Sequence, residues 1–282
     1  MHCRAPASAA NLGPGFDVLA LALSLYIEVE VVPAGRLSVS AEGEGSDLAL
    51  DGSHLAARVA KDVLGHSDVA IKVRSEIPVQ RGLGSSAALA LATAAAAGAE
   101  DPLAVAARYD GHPENAAASL LGGLVAAQVV EGTPLARRLP LDEALSFVVV
   151  IPDRQLPTKE ARSVLPESVL IGDAVYNLGR MGLLLAGLAD HAALVGEAGG
   201  DRLHQDARQA LFPEAPLLLG AMREAGATVA CWSGAGPSLL GICSGHESAV
   251  AVRAAGDEAL ASAGLAGESL VLEPDLGGLL TW

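Results

Sequence analysis

The densest run of chemically useful groups lies at residues 78–88, Pro-Val-Gln-Arg81-Gly82-Leu83-Gly84-Ser85-Ser86-Ala87-Ala, which passes from an extended segment straight into an alanine-rich helix. Glycines let a backbone approach an anion closely, and the free N–H groups of a first helical turn carry partial positive charge, so this run can cradle phosphate. The serine hydroxyls could then bind phosphate oxygen or a magnesium ion. A tight turn followed by a helix N-cap has the same composition and does no chemistry. Asp110 and Glu114 are four residues apart, a spacing that puts both on one face of a short helix, and paired carboxylates suit magnesium or an ammonium group. The bland alternative is a solvated helix start. Thr158 and Arg162 repeat the spacing, which places a guanidinium where it can grip a carboxylate through two parallel hydrogen bonds. Asn11 and Asp17 flank a Gly-Pro-Gly turn that would hold two short polar side chains at a cleft edge, although Asn and Asp beside Gly and Pro are also ordinary turn formers.

Three familiar patterns do not fit the glycine run. Gly82-x-Gly84-x-x-Ala87 matches a relaxed dinucleotide fingerprint, with Glu100 and Asp101 at a tolerable distance for a ribose carboxylate. The preceding strand, however, ends near Arg74, and residues 78–81 intervene where that fold sets its glycines on the strand end. A Walker A loop needs lysine after glycine, and Lys61, Lys72 and Lys159 all follow other residues. Val69-Ala70-Ile71-Lys72 reproduces a protein-kinase strand, but the glycine loop comes after it, and neither His-Arg-Asp nor Asp-Phe-Gly occurs.

The elements that must position these groups are legible as alternating patterns. Strands are predicted at 23–32, 37–41, 69–74, 124–130 and 145–151, with helices at 53–64 and 86–97 and a helix start at Asp101-Pro102. The mixture lacks a strict βαβα rhythm, which favours α+β over a doubly wound sheet. After 151 the rhythm restarts. Pro152, Pro157 and Pro166 punctuate it, helices are predicted at 173–188, 201–211 and 213–225, and strands at 227–232, 239–243 and 268–272. This second unit reads as helices on one face of an antiparallel sheet. The expected division is into residues 1–145 and 146–282, with a cleft between them.

Charge and composition set outer bounds. With 18 Lys+Arg against 33 Asp+Glu the formal charge is −15, which opposes a nucleic-acid footprint. The 51% hydrophobic fraction with only 3% aromatics suits a core of small residues. Residues 82–99 are uncharged and long enough to span a bilayer, but Ala, Gly, Ser and Thr dominate them, which predicts a buried helix and no membrane segment. No signal-peptide pattern opens the chain, and the three cysteines cannot all pair with one another, so a cytoplasmic protein is expected.

Three segments in order, residues 5–17 (APASAANLGPGFD), 78–88 and 233–238 (SGAGPS), together resemble the signature of the GHMP small-molecule kinases. Within that superfamily the chain most resembles the homoserine kinase family. The matching stretches are Ala-Asn11-Leu-Gly-Pro-Gly-Phe-Asp17, Gly111-His112-Pro113-Glu114-Asn115 followed by Leu121-Gly122-Gly123, and Pro157-Thr158-Lys159-Glu160-Ala161-Arg162. The resemblance implies a two-domain α+β GHMP kinase fold, with a ribosomal S5 domain 2-like N-terminal half that binds ATP and a ferredoxin-like C-terminal half. The implied activity is ATP-dependent phosphorylation of the L-homoserine hydroxyl on the threonine branch of amino-acid synthesis. Arg81, Gly82, Leu83, Gly84, Ser85, Ser86 and Ala87 would then bind the nucleotide, Ser86 and Asp110 the Mg²⁺, and Asn11, Asp17, Glu114, Asn115, Thr158, Arg162 and Arg208 the acceptor. Asp17 and Arg162 are the implied catalytic residues.

One motif departs from the family. Its usual Glu-Gly-His-Pro-Asp-Asn reads Asp110-Gly-His-Pro-Glu114-Asn115 here, which moves each carboxylate by roughly an ångström. His112 is assigned no chemistry. Some relatives pair a catalytic aspartate with a lysine that has no match in this chain, so the general base is left open. Arg208 rests on the resemblance alone, and a homodimer is implied by it. Other readings are a GHMP kinase for mevalonate, shikimate or a sugar, a nucleotide-binding regulator without catalysis, and an RNA-binding module, which the charge opposes.

Overall fold

Alternating burial along the strands builds two sheets, described for residues 1–282 in a computed structural model. In the first, β1 (His2–Ala10) pairs antiparallel with β2 (Leu19–Pro33). After β3 (Ser38–Gly43), helix α1 (Leu55–Leu64) crosses over so that β4 (Val69–Ser75) lies parallel to β3 and antiparallel to β2. Helices α2 (Ser85–Ala96), α3 (Pro102–Asp110) and α4 (Glu114–Leu121) follow, and the hairpin of β5 (Leu124–Val130) and β6 (Thr133–Leu139) joins the sheet along β2.

The second sheet starts with β7 (Leu145–Pro152), after which come α5 (Thr158–Ser163), α6 (Ile171–Ala189), α7 (Gln205–Arg208) and α8 (Ala215–Glu224). Then β8 (Val229–Trp232), β9 (Leu239–Ser244), α9 (His246–Ser262) and β10 (Gly267–Leu272) complete it. Its order, β10-β7-β9-β8 with every pair antiparallel, is the ferredoxin-like arrangement. The chain then returns to the first sheet, where β11 (Leu280–Thr281) pairs with β1.

Side-chain parity explains how the sheets pack. Phe147, Val149 and Ile151 face a large core shared with the first half, while Val148 and Val150 face a smaller one under α8 and α9. The expectation of helices on one face is therefore corrected: the other face is covered too, with Leu184 and Leu188 of α6 in the shared core. Helix α2 is buried from Ala87 to Ala96, as a helix apolar all round must be, and its alanines let it approach β1 and β2 closely. No helix is long and apolar enough to cross a membrane.

Two further differences have local causes. The helix expected at 201–211 shrinks to the four residues of α7, because Asp201 accepts the backbone N–H groups of Leu203, His204 and Gln205 and delays the first helical turn. Helix α9 lies outside the expected elements, since its core face is made mostly of small residues at Ala249, Val252, Gly256 and Ala259. In the smaller core Trp232 is fully buried and meets Phe212 edge-on at 6.0 Å between centroids. Trp232→Ala is expected to cost about 3–5 kcal/mol, read as a lower midpoint in urea unfolding.

Candidate active site

The glycine run forms a cradle held from behind by distant segments. Gly82 and Gly84 have φ of +76° and +68°, and a Cβ on Gly82 would lie 2.2 Å from the Ser233 carbonyl oxygen. Ser233 Oγ donates to the Gly82 carbonyl at 2.7 Å, the Ser238 N–H donates to the Arg81 carbonyl, and the Ser8 N–H donates to that of Leu83. The 233–238 segment therefore buttresses the loop. Gly84 caps α2 without a side-chain hydrogen bond, which leaves the N–H groups of its first turn for an anion. A cavity of about 520 Å³ opens in front and is lined by Arg81, Gly82, Leu83, Gly84, Ser85 and Ser86. Ala87 is fully buried behind it and outside the lining. The Arg81 guanidinium meets Asp153 at 2.5 Å.

Asp110 and Glu114 both reach this cavity, but not from one helix. Gly111, at φ +86°, ends α3 immediately after Asp110, and Glu114 opens α4. The shared helix face is thus corrected to a helix–turn–helix junction, in which His112 draws the acids together. Its Nδ1 lies 2.8 Å from Glu114 Oε1 and 3.3 Å from Asp110 Oδ2. Glu114 is 1% exposed, so the run is not a solvated helix start. Asn115 Nδ2 donates to Glu114 Oε1, and Ser8 Oγ donates to Asn115 Oδ1, which links the acids to β1.

Burial pushes the Asp110 carboxyl up to about 6, with Glu114 adding to the rise and His112 opposing it. Burial works against charge on His112, yet the two acids outweigh it and raise its pKa. Glu114 Oε2 is buried without a hydrogen-bond partner. An orphaned carboxylate oxygen beside a second carboxylate and a serine-headed helix suits the Mg²⁺ that the resemblance implies, since that ion takes hard oxygen donors.

In the same lining, Asp17 and Arg162 form a two-pronged ion pair at 2.6 and 3.0 Å, close enough to the acid cluster for Arg162 to lower the Asp110 pKa and Asp17 to raise it. Asp17 (φ 54°) and Asn11 (φ 75°) sit in the left-handed region, which Asn and Asp tolerate better than most residues. Asn11 Oδ1 accepts the Asp17 N–H, and its Nδ2 donates to the Gly234 carbonyl at 2.7 Å, so its amide braces the turn. Thr158 also lines the cavity.

Arg208 is 1% exposed, and its Nη1 donates to the Gly234 carbonyl at 3.0 Å and to His204 Nδ1 at 2.8 Å. Because arginine only donates, His204 accepts at Nδ1 and donates from Nε2 to the Gly13 carbonyl at 2.8 Å. Burial holds its pKa down to about 4. Burial and the nearby Arg162 lower Arg208 to about 10. His112, His204 and Ser8 are structural members of the site that carried no assigned role in the sequence. The one signal for His112 was its place inside a matched motif, and His204 stands four residues before Arg208.

Asp110 gives a pH test. Its folded pKa lies above the unfolded value, so the folded state binds more protons between about pH 4 and 6, and stability falls as pH rises through that window. Asp110→Asn removes this loss. In metal-free, nucleotide-free protein the variant is expected to gain about 2 kcal/mol relative to the native chain between pH 4 and 7, measured by denaturant unfolding.

Comparison with known proteins fits this geometry. The family models described as GHMP kinases N terminal domain and GHMP kinases C terminal match residues 53–123 and 174–262. A homoserine kinase of Thermus thermophilus is 40% identical over 261 residues, covering 88% of this chain and 89% of its own. That of Moorella thermoacetica is 38% identical over 259 residues, covering 86% and 88%. Among solved structures, homoserine kinase from Cytophaga hutchinsonii superposes with a TM-score of 0.87 at 25% identity, over 99% of this chain and 96% of that one. L. major mevalonate kinase in complex with R-mevalonate shares the fold, with a TM-score of 0.67 at 13% identity over 95% and 94% of the two chains. With its cradle, its two-sheet fold and these likenesses spanning most of its length, the chain belongs to the GHMP kinases, within the homoserine kinase family of ATP-dependent small-molecule kinases.

Proposed function

We propose that this chain transfers the γ-phosphoryl group of ATP to the side-chain hydroxyl of L-homoserine, giving O-phospho-L-homoserine for threonine synthesis in the cytoplasm. The observation that carries the reading is the Asp17–Arg162 pair, with Arg208 nearby, in the same cavity as the anion cradle. A carboxylate and two guanidiniums complement the ammonium and carboxylate of an amino acid, so the acceptor replaces an existing ion pair with two matched ones. Thr158, Glu114 and Asn115 complete the acceptor side, with Asn11 holding Asp17 in place. The division of labour near residue 145, with ATP held by the N-terminal half, belongs to the same reading.

The backbone N–H groups of residues 82–86 hold the phosphates, with Arg81 at the rim. A bound Mg²⁺ would be held by Ser86 and Asp110, with Glu114 beside them, and would neutralise charge on the phosphate oxygens. The homoserine oxygen forms its bond to the γ-phosphorus as the bond to the ADP oxygen breaks, and the hydroxyl proton leaves. The protein accelerates this mainly by alignment and charge placement. Asp17 is placed either to take that proton or to hold the ammonium. Asp17→Asn separates the roles: a loss of kcat assigns the base, and a raised KM with kcat intact assigns binding.

The direct test is Mg²⁺-dependent ADP release measured side by side with homoserine, mevalonate, shikimate and galactose. Release with homoserine is expected, and its absence overturns the reading. Arg162→Ala is expected to raise the KM for homoserine roughly 10–100-fold, the worth of a charged hydrogen bond, with little change in the KM for ATP.

A further inference from the structure

Arg208 lines the cavity with most of its donors already used. Its Nε donates to the Ala161 carbonyl at 3.4 Å, and its Nη1 donates both to the Gly234 carbonyl at 3.0 Å and to His204 Nδ1 at 2.8 Å, so Nη2 alone is left without a protein acceptor. A guanidinium with three of its five N–H bonds committed presents one nitrogen in a fixed place instead of a mobile fork.

The histidine behind it is held in the one state that can take this bond. The His204 side chain is 0% exposed, and because Nδ1 must be unprotonated to accept from Arg208, Nε2 carries the proton that goes to the Gly13 carbonyl at 2.8 Å. The Asp201 carboxylate stands 3.7 Å from Nε2, which favours the proton on that side of the ring. Asp201 also accepts the N–H groups of residues 203–205, so it fixes the backbone from which the ring hangs. Burial outweighs the pull of Asp201 and keeps the imidazole neutral, which spares Arg208 a second cation at its side.

The remaining contacts of the ring lie on the turn that carries Asp17. Gly13 accepts the Nε2 proton, and Phe16 stacks on the imidazole at 5.0 Å between centroids and 24° between planes. Phe16 is also the common neighbour of the two arginines, 5.5 Å from the Arg208 guanidinium carbon and 5.6 Å from that of Arg162. Asp17 follows it directly and holds Arg162. We propose that His204 is a positioning residue of the acceptor site: its neutral imidazole fixes Arg208 against the Gly13–Asp17 turn, so that the cation and the anion facing the two charged ends of an amino acid keep one spacing. The proposal rests on homoserine being the acceptor.

Asparagine and glutamine separate the two arms of the ring. The Asn amide oxygen can stand near the place of Nδ1, so His204→Asn keeps an acceptor for Arg208 and drops the donor to Gly13, whereas the longer Gln reaches the place of Nε2 and does the reverse. His204→Gln is expected to raise the KM for homoserine about 10-fold, the worth of one hydrogen bond to a charged group, with kcat and the KM for ATP changed no more than about 3-fold. His204→Asn should recover most of that loss even where its thermal midpoint falls as far. In an Arg208→Ala background His204→Gln should cost nothing further, because its effect travels through the guanidinium. Independently of turnover, histidine-selective 15N NMR of the wild-type chain at pH 7 should show His204 with a bare Nδ1 and a protonated Nε2. The proposal is overturned by an unmoved homoserine KM in His204→Gln, by an equal rise in the KM for ATP, or by equal losses in the two variants. A full cost that persists without Arg208, or a protonated Nδ1, overturns it as well. A wild-type chain that releases no ADP with homoserine overturns the acceptor reading itself, and the proposal with it.

Discussion

The close approach of two backbones at Gly82 is the contact on which the site depends. Only a residue without Cβ lets the Ser233 carbonyl come so near, and from that approach the turn after β8 gains its hold on the glycine loop. Gly234 then acts as a junction. Its N–H donates to the Ala10 carbonyl, and its own carbonyl accepts from Asn11 and Arg208. Through one turn, the end of β1, the glycine loop and Arg208 are fixed relative to one another. Residues more than 200 positions apart in the chain thereby form one rigid wall.

Electrostatics follows from how few basic side chains the protein has. A kinase chain at −15 must bind a polyanion, and the oriented amides at the uncapped start of α2 offer it positive potential without basic side chains. Its buried acids, by contrast, are held in tension. Asp110 and Glu114 converge around His112 at a cost that burial makes visible in the raised Asp110 pKa. A structure that bears this penalty in the free protein is built to receive positive charge at that spot. Around Arg208 the same logic runs with opposite sign, since Arg162 and Arg208 crowd each other and Asp17 relieves them.

Much of this was readable in the sequence, for reasons that differ by element. The β5 strand at 124–130 matches its expected bounds and β4 overruns by one residue, because β-branched alternation is a strong local signal. That Gly82, Gly84, Asp17 and Arg162 gather around one cavity was readable because motif and chemistry coincide. What escaped were interactions whose cause is tertiary. The helix break at Gly111 turned a supposed shared face into a turn, and Asp201 shortened α7 by engaging the N–H groups of residues 203–205 and delaying its first turn. The roles of His112 and His204 depend on partners that spacing does not reveal: an acid on either side of one, an arginine and a carbonyl on either side of the other.

The return of the chain from β10 to the first sheet has a mechanical consequence. The Ser24 and Gly123 N–H groups donate to the Glu273 and Asp275 carbonyls, and the Asp275 N–H donates to that of Ala22, so this segment straps the first sheet before β11 joins it. The two sheets are therefore joined covalently twice, once between β6 and β7 and once after β10. Two tethers confine the halves to rotation about the axis through both, and the buried core they share, with Phe147, Val149 and Ile151 packed against the first half, would have to part in that rotation, so wide clamshell opening is disfavoured. Substrate entry and product release then fall to short loops around the cavity rather than to the halves as wholes.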